Sequence, residues 1–511
     1  MTMKFNLNLM CAAAALAAAP QAFALPPSTA SYDLVLNVSG ASGMRGLIGE
    51  YVLSQCASGK DVFYNDNVGS NVTAWNNSNK AGELVRAYSC VLDVNSPLNG
   101  GAATGRTVLV QKSDGGSGQG TQPVARQTNI TNGFMTINAA SCTATGATAA
   151  ADTPSYKCKT GLTTYPDAGL SDVEPEVFSK GPQAGQASSP TAADLAALTV
   201  TPVILNVYGL AVSKDLYLAL QKTQGIKPLS ASVAAADFDS YAAPSLPKAF
   251  VATALSGGLS APSVGLGWHA AISSAVDSGL ATRQVNVCRR TNTSGTQAGS
   301  NLFFLENYQN SSGKLSLQGA TGTTGPTGTL AVAALGSSSL VEDCLGIVRS
   351  GTTITPRDGT GYYAIGHLTR ENSHLDSAGL TPAIADEGWR FAAIDGVFPT
   401  TATAQDGRYG YAFESTLQWN TTRFDAAAAA VPATATVKLS DAQKAFLNAA
   451  RTNIGVAAVL AVQPQDIKNG FLALPSSTAS TNFDVFTAAE KLHTARVSRN
   501  GKSVNAITLV K

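Results

Sequence analysis

Charged side chains are scarce in this sequence. Asp, Glu, Lys and Arg make up 13% of its 511 residues, and the formal net charge is +1. No stripe of basic residues stands out, which argues against nucleic acid as a partner. Beyond the N-terminal segment, no apolar run reaches the roughly 18 residues that a membrane-spanning helix needs, so membrane insertion is not expected. With 44% hydrophobic residues, the composition is that of a globular protein.

Recognisable catalytic motifs are also missing. The sequence contains no Gly-x-Ser-x-Gly nucleophile elbow, no phosphate-binding P-loop and no dinucleotide-binding fingerprint. Its histidines are scattered and lack the spacing of metal ligands. No cofactor, metal site or catalytic residue is predicted, and the chain is not expected to be an enzyme. The four histidines are His269, His367, His374 and His493.

The first 24 residues have the pattern of a secretory signal peptide. Lys4 supplies the positive charge, the stretch LMCAAAALAAA is apolar, and Ala22 to Ala24 form an A-x-A cleavage site. Cys11 raises the alternative of a lipid anchor, which the preceding Met10 disfavours because a small residue is expected there. We therefore predict a periplasmic or secreted protein, released by cleavage near Ala24.

Six cysteines remain after this cleavage, and an even number in an exported chain favours disulfides. A metal site is the weaker interpretation because no C-x-x-C motif or Cys/His cluster occurs. Six cysteines allow fifteen pairings. Their order along the chain suggests the pairs Cys56–Cys90, Cys142–Cys158 and Cys288–Cys344.

Strand and helix patterns alternate along the chain and predict an α/β fold. The segment SYDLVLNVSG (31–40) is typical of a strand, and the apolar run LTVTPVILNVYGLAVS (198–213) predicts a strand buried on both faces. Ser213 is the expected cap of a following helix. The segments at 361–368 and 389–420 are strand-like and divided by turns. Near the C-terminus, SDAQKAFLNAAR predicts a helix that begins with a capping box of Ser and Gln.

Short turns of small residues follow several predicted strands. They are SGASG (39–43), KSDGGSG (112–118) and TSGT (293–296), the last preceded by Arg290. Such turns direct backbone N–H groups and hydroxyls toward one point, and a following helix adds positive dipole character. Taken singly, each is more often a plain turn. Together with a guanidinium group, they indicate a site for an oxyanion.

A carboxylate accompanies these turns in the segment GLSDVEPEVF, where Asp172 follows a serine. A carboxylate at an anion site is unfavourable unless the ligand carries a proton. In that case the carboxylate can accept the proton, and a fully ionised oxyanion is rejected.

In order and context, these segments resemble the periplasmic phosphate-binding proteins of bacterial phosphate ABC importers, which have a type 2 periplasmic-binding fold. NVCRRTNTSGTQ is similar to that family's Arg-Arg-x-Asp-Gly-Ser-Gly-Thr segment. SGASG resembles its Gly-Ala-Thr-Phe loop, KSDGG its Gly-Ser-Ser-Gly-Gly loop, and GLSDVEP its Gly-Ala-Ser-Asp-Ala-Pro turn. YYAIGHL resembles a later Gly-Ala-Ile-Gly-Tyr strand. The matches run from about residue 36 to 415, and only the arginine segment is distinctive alone.

The resemblance implies a ligand site, carried over position by position. Asp172 would accept the phosphate proton and Arg290 would be the charged donor. Gly43 stands where the family has an aromatic residue, so only its amide remains. Asn292 replaces an aspartate that balances the arginine, and Thr293 replaces a glycine. The implied ligand-binding residues are Ser42, Gly43, Ser113, Asp172, Arg290, Ser294, Gly295 and Thr296.

The resemblance also implies two lobes with the ligand between them. Lobe one would comprise residues 25–208 and 410–511, and lobe two residues 209–409. VILNVYGLAV and YGYAFESTLQW would be the two crossover strands. The first two disulfides would tie insertions between the first loops, which make this chain longer than compact family members.

Three functional hypotheses follow. The favoured one is an exported solute-binding protein that holds phosphate or a related oxyanion for uptake or scavenging, with an ABC importer permease as a candidate partner. The alternative is a secreted or surface interaction protein that keeps the fold without phosphate transport, as the long disulfide-tied insertions and low charge would allow. A secreted hydrolase is the weakest, since no nucleophile–base pair can be named.

Overall fold

The computed structural model describes most of the chain. The predicted signal peptide, His374 and most of the Gly/Thr-rich segment LQGATGTTGPTGTL lie outside the described residues. The structure describes residues 31–65, 85–113, 115–150, 153–179, 189–232, 242–256, 267–280, 285–306, 320–321, 330–350, 353–372, 386–425, 438–475 and 487–509.

Strands and helices alternate along the described chain. The strands are β1 Leu34–Gly40, β2 Cys56–Asn65, β3 Arg86–Leu92, β4 Thr107–Lys112, β5 Ile130–Met135, β6 Cys142–Ala144, β7 Tyr156–Cys158, β8 Thr160–Thr164, β9 Ala168–Ser171, β10 Leu198–Ser213, β11 Ser245–Leu246, β12 Val285–Arg290, β13 Ala320–Thr321, β14 Leu330–Leu335, β15 Ile347–Ser350, β16 Thr353–Pro356, β17 Ala364–Thr369, β18 Trp389–Ile394, β19 Ala412–Asn420, β20 Phe471–Leu472, β21 Val497–Ser498 and β22 Thr508–Leu509. The α-helices are α1 Arg45–Ser54, α2 Gln122–Arg126, α3 Ala192–Ala196, α4 Lys214–Thr223, α5 Lys248–Leu255, α6 Gly295–Leu305, α7 Ser338–Gly346, α8 Thr401–Gln405, α9 Thr421–Asp425, α10 Asp441–Asn453, α11 Ala457–Ala461, α12 Gln465–Gly470 and α13 Ala488–His493.

Strand β10 is shared by two groups of strands. It pairs with β19 from Leu198 to Val207 and with β17 from Tyr208 onward. One side of the mixed sheet therefore runs β10-β19-β9-β1-β4-β3-β2-β7-β6, and the other runs β10-β17-β12-β14-β13. The change of partner lies beside residue 208, where the sequence predicted a boundary between two lobes, and the division into lobes stays a prediction. The predicted α/β class is confirmed.

The carboxyl ends of parallel strands meet on both sides of β10. Strand β1 is parallel to β4 and to β9, and β12 is parallel to β14 and to β17. In open α/β sheets, the loops that follow such strands form the usual place for a ligand. The turns that the sequence singled out follow β1, β4, β9 and β12.

Several local predictions are confirmed and two are wrong. The apolar run 198–213 is a single strand, buried from Val203 to its end. Helix α10 begins with the expected capping box of Ser440 and Gln443. Ser213 precedes α4, but its side chain does not cap it. Its hydroxyl instead donates to the carbonyl of Tyr362, which lies just before the neighbouring strand β17.

The stretch 389–420 is not strand throughout. It forms β18 and β19, but between them lies the short helix α8, which begins with a capping box of Thr400 and Thr403. A pair of threonines at this spacing can cap a helix even though threonine is a weak helix former.

All three predicted disulfides are present. Cys56–Cys90 joins the neighbouring strands β2 and β3, and Cys142–Cys158 joins directly opposed residues of β6 and β7. Cys288–Cys344 ties β12 to α7. The last bond holds together two elements whose ends reach the candidate site.

Two large hydrophobic cores lie in the described part of the chain. One is built around β1, α1 and α10, and the other around β10, α4 and the ends of β12 and β17. The residues that the structure describes include no helix that is both long and apolar enough to cross a membrane.

Candidate functional site

The loops after β1, β4 and β9 touch one another. Gly40, the last residue of β1, has φ 99°, and a Cβ there would lie 2.1 Å from the carbonyl oxygen of Leu170 and 2.6 Å from Gly120 Cα. Only glycine allows this backbone conformation together with such a close approach. The three loops are therefore brought together on one side of the site.

Arg290 approaches these loops from the other side. It is the last residue of β12 and is buried, with 1% of its surface exposed. One terminal nitrogen donates to Ser42 Oγ at 3.0 Å and to Ser338 Oγ at 3.1 Å, and the other donates to the carbonyl of Gly336 at 2.7 Å. The guanidinium group thus joins the loop after β1 to the segment where β14 leads into α7.

Asp172 lies in the loop after β9 and is 1% exposed. Its Oδ2 accepts hydrogen bonds from Ser117 Oγ at 3.2 Å and from Thr296 Oγ1 at 3.4 Å. Ser117 Oγ in turn accepts from the Asp172 backbone N–H at 2.9 Å. Within the described residues, Oδ1 of this buried carboxyl has no hydrogen-bond partner. One carboxylate oxygen is held by the protein and the other is left available.

Burial raises the pKa of the Asp172 carboxyl above its ordinary value. The charge of Arg290, the hydroxyls of Ser117 and Thr296, and the charge of Lys112 all act in the opposite direction. Desolvation disfavours the charged form, whereas donors and cations favour it. The carboxyl is consequently a group that gains from contact with a proton donor.

Two glycines leave room around this carboxyl. A Cβ at Gly43 would lie 3.1 Å from Asp172 Oδ1 and 2.9 Å from Thr369 Cγ2. A Cβ at Gly295 would lie 2.4 Å from Ser117 Oγ and 3.0 Å from Asp172 Oδ2. Any side chain at either position would crowd the carboxylate, so both backbones border the site.

Two helices begin at the site. Ser294 precedes α6, and its buried Oγ has no hydrogen-bond partner in the part of the chain that the structure describes. Ser338 is the first residue of α7. The free N–H groups and the dipole of each helix favour negative charge at these ends.

Direct contacts join the two sides of the site. Gly118 N–H donates to the carbonyl of Thr293 at 2.8 Å. A Cβ at Gly116 would lie 2.8 Å from Ser294 Cα, so these backbones are packed closely. The loop after β4 is therefore in contact with the turn between β12 and α6.

Most of the residues predicted from the sequence are near one another. Thr296 bonds to Asp172, and the backbones of Gly43 and Gly295 lie beside the Asp172 carboxyl. Arg290 bonds to Ser42. The contacts are those of a small polar centre where the loops after β1, β4, β9 and β12 meet. It is lined by hydroxyls, amides, one guanidinium group and one carboxyl.

Ser113 occupies a different place in its loop from the one that the motif suggested. It follows β4, its N–H donates to the carbonyl of Val38 at 2.9 Å, and its own carbonyl accepts from Lys112 Nζ at 2.6 Å. The serine of this loop that contacts Asp172 is Ser117. The role of Ser113 in ligand binding stays a prediction, and Asp114 lies outside the described residues.

Sequence reasoning missed Ser117, Ser338 and the buried Lys112. Ser117 stood within the quoted glycine-rich loop. Ser338 had a usable signal, because LGSSSL repeats the same order of strand, small-residue turn and helix. Lys112 had none, since a lysine at a strand end is usually exposed.

Arg289 has different neighbours from Arg290. Its Nε donates to the carbonyl of Arg290 at 3.0 Å, and its guanidinium group also bonds to the side-chain oxygen of Asn292. Burial lowers its pKa to about 10, so it is still charged at neutral pH. The resemblance predicted that Asn292 leaves Arg290 without a balancing negative charge. In the structure, Asn292 is a hydrogen-bond partner of Arg289.

His367 is a buried core residue. Its ring packs against those of Phe304 (tilted) and Tyr411 (edge-on), with centroids 5.3 and 5.9 Å away. Burial, reinforced by the charge of Arg289, lowers its pKa to about 3. This histidine is neutral at physiological pH and lies in an aromatic layer.

No family model matches the sequence, and no curated protein matches it. Similar solved structures include a phosphate ABC transporter substrate-binding protein from Clostridium perfringens with bound phosphate (10% identity, TM-score 0.37, covering 84% of this chain and 96% of that one). PstS from Borrelia burgdorferi shows 10% identity and a TM-score of 0.32 over 87% and 100% of the two chains. An ABC-type phosphate transport receptor from Vibrio cholerae shows 8% identity and a TM-score of 0.34 over 84% and 100%.

These proteins are of the class that the sequence motifs indicated. At such identities and with TM-scores below 0.5, the similarity is weak.

Proposed function

We propose that this chain is an exported solute-binding protein that holds an oxyanion, first of all hydrogen phosphate, between its two lobes for uptake or scavenging. The single observation that carries the proposal is the carboxyl of Asp172. It is buried, its Oδ2 is occupied by hydroxyl donors, and within the described chain its Oδ1 has no partner.

A carboxylate oxygen that lacks a hydrogen-bond donor favours a ligand that carries a proton. An ionised carboxylate can only accept hydrogen bonds, and burying it without a donor costs free energy. Hydrogen phosphate carries a P–OH group that can donate to Oδ1. Sulfate at neutral pH has no such proton and would meet repulsion instead. The carboxyl thus supports phosphate over sulfate.

The remaining groups suit the other ligand oxygens. Arg290 supplies a fully buried guanidinium group. Ser42 supplies a hydroxyl that bonds to Arg290, and Thr296 supplies one that bonds to Asp172. Hydroxyls rotate freely and can turn to donate to an oxyanion. The amides of Gly43 and Gly295 border the same space, and Ser294 adds a hydroxyl at the start of α6.

Binding between lobes supports a closing motion. Ligand oxygens would contact Ser42 and Asp172 on lobe one and Arg290 and Thr296 on lobe two. A ligand that touches both lobes binds the closed form more tightly, and this difference in affinity drives closure. A binding role of this kind requires no catalytic residue, and an ABC importer permease is the candidate partner for the closed form.

Equilibrium dialysis of the mature chain with labelled phosphate tests the proposal. We expect the intact protein to bind and the Arg290→Ala variant to lose at least about 30-fold in affinity, because truncating a buried charged partner costs about 2 kcal/mol or more. Arg408→Ala is the matched control, since Arg408 is exposed and pairs only locally with Asp406.

Competition with unlabelled sulfate completes the experiment. Sulfate should displace phosphate poorly from the intact protein. Absence of phosphate binding by the intact chain, or equal loss in the Arg290→Ala and Arg408→Ala variants, would contradict the proposed function.

A further inference from the structure

Thr369 provides a buried hydroxyl at the candidate site, and none of the sequence motifs assigned it a role. It is the last residue of β17, and 0% of its surface is exposed. Strand β17 runs parallel to β12, whose last residue is Arg290. The carboxyl ends of these two strands therefore lie at the same edge of the sheet. Besides β1, β4, β9 and β12, a fifth strand thus ends at the site.

The side chain of Thr369 lies against the backbone of Gly43. A Cβ at Gly43 would be 2.9 Å from Thr369 Cγ2 and 3.4 Å from Thr369 Oγ1. The same position is 3.1 Å from Asp172 Oδ1, the oxygen that has no partner within the described chain. The threonine hydroxyl and the available carboxylate oxygen therefore border one small space beside Gly43.

The Thr369 hydroxyl is held so that its proton is available. Asn372 Nδ2 donates to Thr369 Oγ1 at 2.7 Å and to the Thr369 carbonyl at 2.9 Å. A carbonyl can only accept, which fixes the amide nitrogen of Asn372 as the donor to both oxygens. This bond uses a lone pair of Oγ1 and leaves its O–H group to point elsewhere.

In the part of the chain that the structure describes, the Thr369 hydroxyl donates no hydrogen bond. A buried O–H group without an acceptor costs free energy, which a ligand oxygen would recover. The space beside Gly43 therefore has a donor on one side, Thr369, and an acceptor on the other, Asp172. A ligand atom that fits between them has to accept one hydrogen bond and donate another.

We propose that Thr369 is a further ligand-binding residue, whose hydroxyl donates to the protonated oxygen of hydrogen phosphate while that oxygen donates to Asp172 Oδ1. The proposal rests on the proposed function, which supplies the ligand. A P–OH oxygen can donate one hydrogen bond and accept others, so it satisfies both groups at once. Asp172 requires the proton, and Thr369 stabilises the oxygen that carries it.

Equilibrium dialysis with labelled phosphate compares Thr369→Val and Thr369→Ser with the intact chain. Valine keeps the shape of the side chain and removes the hydroxyl, whereas serine keeps the hydroxyl and removes the methyl group. Asn372 retains its bond to the carbonyl of residue 369 in both variants. Thr199→Val is the matched control. The Thr199 hydroxyl bonds to that of Thr421 near the start of β10, whereas Thr369 pairs with Tyr208 farther along that strand.

We expect Thr369→Val to weaken phosphate binding roughly tenfold, because it removes one hydrogen bond to a charged ligand. Thr369→Ser should bind within about threefold of the intact chain, since it keeps the donor. Thr199→Val should bind as the intact chain does. The proposal would be overturned by a Thr369→Val variant with unchanged affinity, or by a Thr369→Ser variant that loses as much as Thr369→Val.

Thermal unfolding without ligand verifies that each variant is folded. Thr369→Ala, which removes the hydroxyl and adds no atom near Gly43, takes the place of Thr369→Val if that variant does not fold, and the same loss is expected of it. If the intact chain binds phosphate and the variants without the hydroxyl bind it equally well, the proposed function stands and Thr369 is not a ligand-binding residue. If the intact chain binds no phosphate, the proposed function is wrong and this inference is overturned with it.

Discussion

Two buried aspartates at the ends of strand β9 have opposite surroundings. Asp167 precedes the strand and forms an ion pair with Arg423 at 2.9 Å, while its other oxygen accepts from the Asn37 N–H at 2.9 Å. Asp172 follows the strand and receives only hydroxyl hydrogen bonds on Oδ2, with Oδ1 partnerless within the described chain. Burial raises the pKa of both carboxyls.

The difference follows from the direction of the strand. Asp167 lies at the amino end of β9, where Arg423 of helix α9 packs against it and neutralises the charge within the protein. Asp172 lies at the carboxyl end, where the loops after the parallel strands β1 and β9 gather. A carboxyl that is satisfied internally maintains the architecture, whereas one left with an available oxygen is suited to a ligand.

Removing the internal partner should have the largest effect. We expect Asp167→Ala to lower the free energy of unfolding by about 3–5 kcal/mol, because it removes the carboxylate that forms an ion pair with the buried guanidinium group of Arg423. Urea unfolding at neutral pH measures this loss.

The double variant Asp167→Ala with Arg423→Met is the control for this prediction. It removes both charges and should recover much of the lost stability. A double variant no more stable than the single one would show that the ion pair is not the source of the loss.

The complementary change is at the ligand-facing carboxyl. Asp172→Asn should lower the ratio of phosphate to sulfate affinity by roughly 10- to 100-fold, the value of one hydrogen bond to a charged group. The amide can donate to an oxyanion and no longer repels sulfate. Competition dialysis measures the ratio, and Asp167→Asn, where it folds, should leave the ratio unchanged. An unaltered ratio in Asp172→Asn would remove Asp172 from the selectivity mechanism.

A smaller effect is expected in the ligand-free protein as pH changes. The folded-state pKa of Asp172 is raised above its ordinary value. Between those two values, the folded chain binds a proton that the unfolded chain has released. Stability therefore falls as pH rises through this window, by up to about 1.4 kcal/mol per pH unit for one group. Asp172→Asn should lack this component, and chemical unfolding at a series of pH values compares the two.

A steeper loss of stability with rising pH in Asp172→Asn than in the intact chain would contradict this prediction. Asp167 provides a check, since its ion pair with Arg423 persists in both proteins and cancels in the difference.

Much of the site could be predicted because it lies on local sequence patterns. Arg290 ends strand β12 and Asp172 follows strand β9, and the apolar residues of both strands are evident in the sequence. The small residues of SGASG are typical of a tight turn. The disulfide pairing followed the order of the cysteines, since each bond joins elements that lie close together along the chain.

Other assignments depended on contacts between distant segments. Ser113 and Ser117 belong to one loop, and only its packing against β9 and α6 places Ser117 beside Asp172. Ser213 has the residue type and position of a helix cap, yet its hydroxyl donates to the carbonyl of Tyr362, just before β17. Ser338 meets Ser42, although the two lie 296 positions apart in the sequence.

The sequence by itself determined the α/β class, the long buried strand β10, the turns after β1, β4, β9 and β12, and the residue types available for an oxyanion. Those features depend on apolar periodicity and turn chemistry, which act over a few neighbouring residues. Tertiary structure alone decided which hydroxyls reach Arg290 and Asp172 and which oxygen is left partnerless. It also buried Lys112 between two carbonyls. These outcomes depend on how whole loops pack against one another, and no short stretch of sequence contains that information.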